Sequence, residues 1–198
     1  MVRGIEREQA ILAATLALLG EVGYGTLTID AVAARAHASK TTIYRRWNGK
    51  PELVKAALDD LDAEAVADPP DTGTLRGDLL ATLRASCARI DDRYAVLMTG
   101  LIHAMRLDPG LAEALRSHVD NEDLSPFPVI VARAIGRGEL PGGTDAGLAH
   151  QVAEGQIVRH TLLGHPLDAV FLTTLVDEVL LPLLTRRFPG TPESGSDA

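Results

Sequence analysis

Cysteine occurs once in the 198 residues, so no disulfide can close within the chain and no thiolate cluster can hold a metal or run redox chemistry. Cys87 reads as a buried structural thiol in a reducing compartment. Aromatic residues are also scarce, at 4% of the chain against 46% for all hydrophobic residues, which leaves Ala, Leu and Val as the apolar stock. That mixture suits packed helices better than pleated sheets, so an all-α fold is expected. The chain lacks an 18-residue apolar run. Its most apolar N-terminal stretch, within MVRGIEREQAILAATLALLGEVG, is flanked by Glu6, Glu8 and Glu21, and no A-x-A cleavage pattern follows it. A cytoplasmic protein without a membrane partner is the expectation.

Motifs that carry catalysis are missing too. There is no G-x-S-x-G, no P-loop and no G-x-G-x-x-G, and GRGELPGG is turn chemistry without a preceding strand. His150 and Glu154 stand one helical turn apart, but no second pair or Cys cluster accompanies them, so they read as a surface pair. No catalytic residue, metal site or cofactor is expected, and an enzyme is not.

What is present is a charge asymmetry. Residues 1–50 hold seven Lys/Arg against four acids, a net of +3, whereas the other 148 hold twelve against twenty-three, a net of −11. Phosphate attraction acts within about a Debye length of 8–10 Å, so a sequence pI of 5.2 does not argue against a basic end that meets nucleic acid.

Helical periodicity runs through most of the chain. Ile11, Ala14, Thr15, Leu18 and Val22 share a face over residues 7–22, and GYGT closes that segment. Thr28 caps a short helix ending near Ala36, with Asp30 suited to its positive end. Only His37 and Ala38 separate it from Ser39, which caps the next helix over 39–47. A fourth helix runs from Gly49 to ADPPDTG, and further helical patterns cover about 74–90, 94–107, 109–120, 126–137, 145–163 and 167–186, with Ser125 as a cap. The last carries Leu172, Leu175, Val176, Val179 and Leu183 on one stripe, with Val170, Phe171, Leu180 and Leu184 beside it. So wide an apolar surface exceeds one core contact and is read as a subunit interface, the alternative being a fully buried central helix. The tail at 189–198 is expected to be disordered.

The segment SKTTIYRRWNGK decides the function. At 100° per residue Ile43 and Trp47 fall on one side and Thr41 and Arg45 on the other, with Lys40, Thr42 and Tyr44 flanking the polar side. Arg suits guanine edges, Thr a phosphate or the thymine methyl, and Tyr and Lys phosphates. Nine helical residues span about 13 Å, one pass across a major groove. A lone basic run is ordinarily a solvated surface; the preceding capped helix, the two-residue turn and the charge asymmetry together overturn that reading.

The stretch TLTIDAVAARAHASKTTIYRRWNGKPELV resembles the DNA-binding segment of TetR-type transcriptional regulators. The likeness rests on the caps Thr28 and Ser39, the packing Ala33, the Ser-Lys-x-Thr-Ile-Tyr run to Tyr44, Trp47 and Lys50. It departs from the family at His37, where glycine is usual, and at Gly49, where serine commonly caps. The close match covers about residues 7–60. The resemblance implies a three-helix helix-turn-helix domain at 1–50, a connecting helix and linker at 51–70, and a helical ligand-binding and dimerisation domain at 71–188, about nine helices in all. By the same resemblance Lys40, Thr41, Thr42, Tyr44 and Arg45 face the groove, Thr28 and Lys50 lie near phosphates, and Arg46 is a weaker candidate beside the cap Ser39. The implied partners are a double-stranded, palindromic DNA operator, a small-molecule ligand that releases the repressor, and a second copy joined through the two C-terminal helices. Cys87, Tyr94, Met98, His103, Gln156 and His160, polar or soft groups within apolar helices, are the candidate ligand residues. A helical small-molecule carrier without DNA binding is the competing reading.

Overall fold

The computed structural model describes residues 2–66 and 68–186, and among these there is no strand, in keeping with the all-α expectation. The expected tail at 189–198 lies outside the described residues. The chain opens with α1 (Val2–Thr26), interrupted at Gly23, whose φ of 70° and ψ of 167° are not helical. This helix begins five residues before the expected start at residue 7. Its opening turns bury little that periodicity could reveal, Ile5 being exposed. The short α2 (Ile29–Arg35) and α3 (Lys40–Tyr44) follow, then α4 (Lys50–Val66).

The body comprises α5 (Leu75–Cys87), α6 (Asp92–Met105), α7 (Pro109–Val119), a 3-10 turn at Glu122–Leu124, α8 (Phe127–Gly136), α9 (Gly147–Leu163), α10 (Ala169–Thr174) and α11 (Leu181–Thr185), with a π-helical turn, Leu175–Leu180, joining the last two into one rod. Pro182 explains that turn. It has no N–H for the carbonyl of Glu178 and its ring would strike that carbonyl, so the backbone inserts a residue and Leu181 N–H reaches back to Val176 O instead. Ser125 is buried and its hydroxyl accepts from Phe127 N at 3.2 Å, although the residue at the cap position of α8 is Pro126.

Two hydrophobic cores hold the chain together. The first joins Ile11, Leu18, Val32, Ile43, Trp47, Leu53 and Leu58 to Leu101 of α6 and Leu111 and Leu115 of α7. The second joins Leu79, Leu83 and Cys87 to Phe127, Ile130, Ala149, Ala153, Leu172, Val176, Leu180 and Leu184. The boundary expected at residue 50 is therefore not a core boundary, because α4, α6 and α7 complete the core under the reading helices.

The wide stripe of the last rod divides. Leu172, Leu175, Val176, Leu180 and Leu184 are buried within the chain, as the central-helix alternative required. Val170 and Val179 remain exposed, as do Leu162 and Leu163 of α9.

The connection into α5 is pinned by Asp78, which is fully buried and accepts from Thr72 N (2.6 Å), Thr72 Oγ1 (2.8 Å) and Arg137 Nη2 (2.8 Å). Burial opposes the Asp78 charge, but these bonds outweigh it and hold its pKa below the ordinary range.

Candidate nucleic-acid interface

Thr28 Oγ1 accepts from Ala31 N at 3.2 Å and Ser39 Oγ from Thr42 N at 3.1 Å, so both short helices are capped by the residues the sequence singles out. Between them His37 takes φ 49°, and the turn closes as a Schellman motif: His37 N–H bonds Ala34 O at 3.3 Å and Ala38 N–H bonds Ala33 O at 2.9 Å. The departure from glycine leaves the turn intact, at the cost of holding a side chain in left-handed backbone.

The nine-residue reading helix is not realised. Regular helix covers five residues, about 7–8 Å, and continues as hydrogen-bonded turns, with Arg46 N on Ile43 O at 2.9 Å and Trp47 N on Ile43 O at 3.0 Å. The chain must turn at once into α4, and Gly49 at φ 123° makes that corner. Glu52 Oε2 accepts from Asn48 N at 2.7 Å, supplying an acceptor where Gly49 has no side chain to cap.

The two faces are as the periodicity requires. Ile43 and Trp47 are 0% and 8% exposed, whereas Thr41, Tyr44 and Arg45 face outward, Tyr44 at 57%. Thr42 is half-buried with its hydroxyl 2.9 Å from Ser39 Oγ. Lys40 Nζ lies 2.6 Å from Asp30 Oδ1, and Arg46 is paired with Glu8 of α1. Lys50 does not stand free: its ammonium donates to Tyr24 O at 2.9 Å and sits 4.0 Å above the Tyr24 ring. Among the described residues of α3 and its two flanking turns, Arg45 is the cation without an acid or carbonyl partner.

Tyr24 also ties this end to the body. Its hydroxyl donates to Asp108 Oδ2 at 2.6 Å while Asp108 Oδ1 caps α7 through Leu111 N. Burial first, then the Asp108 bond and charge, push the Tyr24 pKa upward, and the same hydroxyl bond is the main cause of a lowered Asp108 value.

The six candidate ligand residues do not share one place. Cys87 sits in the second core beside a shallow recess lined by Arg84, Leu167 and Leu172, its thiol pushed up to about 11 by burial. Met98 packs against the first core, His103 and Gln156 are exposed, and His160 stacks on Phe171 with ring centroids 3.8 Å apart. Tyr94 alone joins a polar convergence that sequence reasoning missed.

There, His118 Nδ1 of α7 lies 2.6 Å from Asp59 Oδ1 and Nε2 lies 3.3 Å from Asp62 Oδ2, both on α4. His150 Nε2 is 4.0 Å from Glu154 Oε2 on α9. Burial opposes the His118 charge, yet the Asp62 and Asp59 bonds prevail and raise its pKa. Burial lowers His150 and raises Glu154, and burial, then Asp62 and Glu154, push Tyr94 up to about 12. His150 also lines a cleft of about 520 Å³ with Val119, Asn121, Ser125, Val131 and Ile135. Among the described residues no group of three or more His, Cys, Asp or Glu is arranged to hold a metal. The available signal was the i, i+3 spacing of Asp59 and Asp62, but their histidine partner is distant in sequence.

Residues 11–57 match the family described as bacterial regulatory proteins, tetR family, and residues 69–179 match the tetracyclin repressor-like C-terminal domain. The chain is 46% identical over 182 residues to a DNA-binding transcriptional repressor TetR of Mycobacteroides abscessus, covering 92% of this chain and 96% of that one. It is 36% identical over 181 residues to an HTH-type transcriptional regulator of Mycobacterium bovis, covering 91% and 89%. The solved structure of the TetR family transcription regulator SCO0332 superposes with a TM-score of 0.71 at 29% identity, over 88% of this chain and 97% of that one.

Proposed function

The chain belongs to the TetR family of transcriptional regulators, and from that premise we propose that it is a repressor that grips a palindromic operator as a homodimer and lets go when a small molecule occupies its body. The observation that carries the reading is the outward Thr41–Tyr44–Arg45 face, held by buried Ile43 and Trp47 behind a Schellman turn. Lys40, Thr41, Thr42, Tyr44 and Arg45 are its groove residues, with Thr28 and Ser39 at the helix starts where phosphates approach and Lys50 acting from the α4 corner.

Five helical residues read too few bases to be selective alone, so a second copy is required. The exposed Leu162, Leu163, Val170 and Val179 on α9 and the last rod support pairing through that face. For the effector, the cleft beside His150 and the convergence of Tyr94, His118 and Glu154 support a site between α4, α6, α7 and α9. A ligand that prefers a splayed dimer lowers DNA affinity by the factor that DNA lowers its own. The reading places the protein in the cytoplasm, and no helix among the described residues is long and apolar enough to cross a membrane.

Selection of duplexes from a random pool by the purified protein tests the proposal. A palindromic consensus, bound by two chains and released steeply by salt, is expected. Failure to enrich any sequence, or a complex indifferent to salt, refutes it.

A further inference from the structure

Two of the basic residues around α3 are paired with acids, and the two pairs differ in kind. The Lys40–Asp30 pair is open to solvent, with side chains 57% and 66% exposed, whereas those of Arg46 and Glu8 are only 35% and 36% exposed. The first turns of α1 run beside the Arg46 guanidinium: a Cβ on Gly4 would lie 4.0 Å from Arg46 Nη2. Arg46 also sits where α3 ends, its N–H on Ile43 O and its neighbour Trp47 buried. With five residues and Ile43 as its only buried side chain, α3 cannot fix its own tilt. Its direction is set at the ends, by Ser39 at the start and by Arg46 and Trp47 at the exit.

We propose that Glu8 is a positioning residue of the DNA interface, forming with Arg46 a strut that fixes the exit of α3 to α1, so that Arg46 orients the reading helix and is not a phosphate ligand. Paired with Glu8, Arg46 presents no net charge to a phosphate, and were it to swing away, the abandoned carboxylate would stand next to the DNA backbone and repel it. As a strut, the pair stays neutral, and Arg45 and the solvent-open Lys40 are left as the cations of the groove face. The inference rests on the DNA-binding role stated above.

The test measures equilibrium binding of the full-length protein to a duplex enriched by the wild type, over a salt series. Enrichment by the wild type tests DNA binding on its own, so a failure of the strut appears only in the variants. Glu8→Gln and Arg46→Ala are each expected to weaken binding about fivefold, the scale of a surface pair worth up to about 1 kcal/mol. The double variant should be no weaker than either single, since one strut is broken only once. The salt slope should stay at the wild-type value, and the charge swap Glu8→Arg with Arg46→Glu should recover most of the affinity. Tighter binding by Glu8→Gln, a slope reduced by about one unit per lost phosphate contact in Arg46→Ala, or a swap weaker than both singles would overturn the proposal and make Arg46 a phosphate ligand. Unchanged affinity in both singles would equally refute it.

Discussion

Replacing His118 by asparagine should remove a pH-dependent brace between α4 and α7. Both ring nitrogens of His118 face carboxylates, Asp59 at 2.6 Å and Asp62 at 3.3 Å, and only the imidazolium can donate to both. The neutral ring has one N–H, so on deprotonation one nitrogen turns a lone pair toward a carboxylate. The His118 side chain is 14% exposed and Asp59 26%, whereas Asp62 is 44% exposed and its bond must be discounted for solvent screening. One charged hydrogen bond at about 1.5–3 kcal/mol plus a screened one at well under 1 kcal/mol gives a brace of about 2–3 kcal/mol. Because the folded pKa of His118 is raised above 6.5, this stabilisation is fully present below pH 6.5 and is lost as pH climbs through the raised value. Other groups face the same place: Lys55 lies 2.5 Å from Asp59, Tyr94 titrates only near 12, and His150, with its lowered pKa, and Glu154, with its raised one, are common to both proteins. The difference in urea-unfolding free energy between wild type and His118→Asn, measured from pH 5.5 to 9, therefore isolates the brace. It should shrink by about 1–2 kcal/mol over that range. A pH-independent difference, or a His118 ring resonance that titrates at or below 6.5, refutes the reasoning.

Arg45→Ala should lower operator affinity by about 1–3 kcal/mol and relax preference at one operator position, as read by binding to a panel of single-base operator variants. His37→Gly should raise stability by up to about 1 kcal/mol in thermal melts, since φ 49° is free for glycine and strained for histidine. Gly77→Ala should destabilise by about 1–3 kcal/mol: its Cβ would stand 2.1 Å from Thr72 Oγ1 and displace the hydroxyl that donates to buried Asp78.

The reading segment was legible because its rules are local. Caps at Thr28 and Ser39, a two-residue turn and the spacing of Ile43 and Trp47 are statements about neighbours in sequence, and the fold repeats them. What was not legible depends on where the chain must go next. The reading helix stops after Tyr44 because Gly49 has to aim α4, and no periodicity records that demand. The last helix was expected to present one continuous stripe, yet Pro182 forces a π-turn that rephases it, burying Val176 and Leu180 while leaving Val179 outward. The proline was visible, but a proline near a helix end is ordinarily tolerated. The ligand residues were chosen one by one for chemistry, and proximity across four helices cannot be read from such a choice.

The same limit explains the domain boundary. Charge and motif both change near residue 50, so the sequence places a division there, but burial does not follow charge. Leu111 and Leu115 of α7 share a core with Ile43 and Trp47 of the reading segment. The helix carrying those leucines is tied at its start to Tyr24 through Asp108 and at its end to α4 through His118. A three-helix head of about 50 residues buries a small fraction of its surface and is marginal by itself, and here α4, α6 and α7 complete its core. The basic face and the acidic body are thus electrostatically separate and mechanically continuous, and any displacement of α7 must repack the core beneath α3.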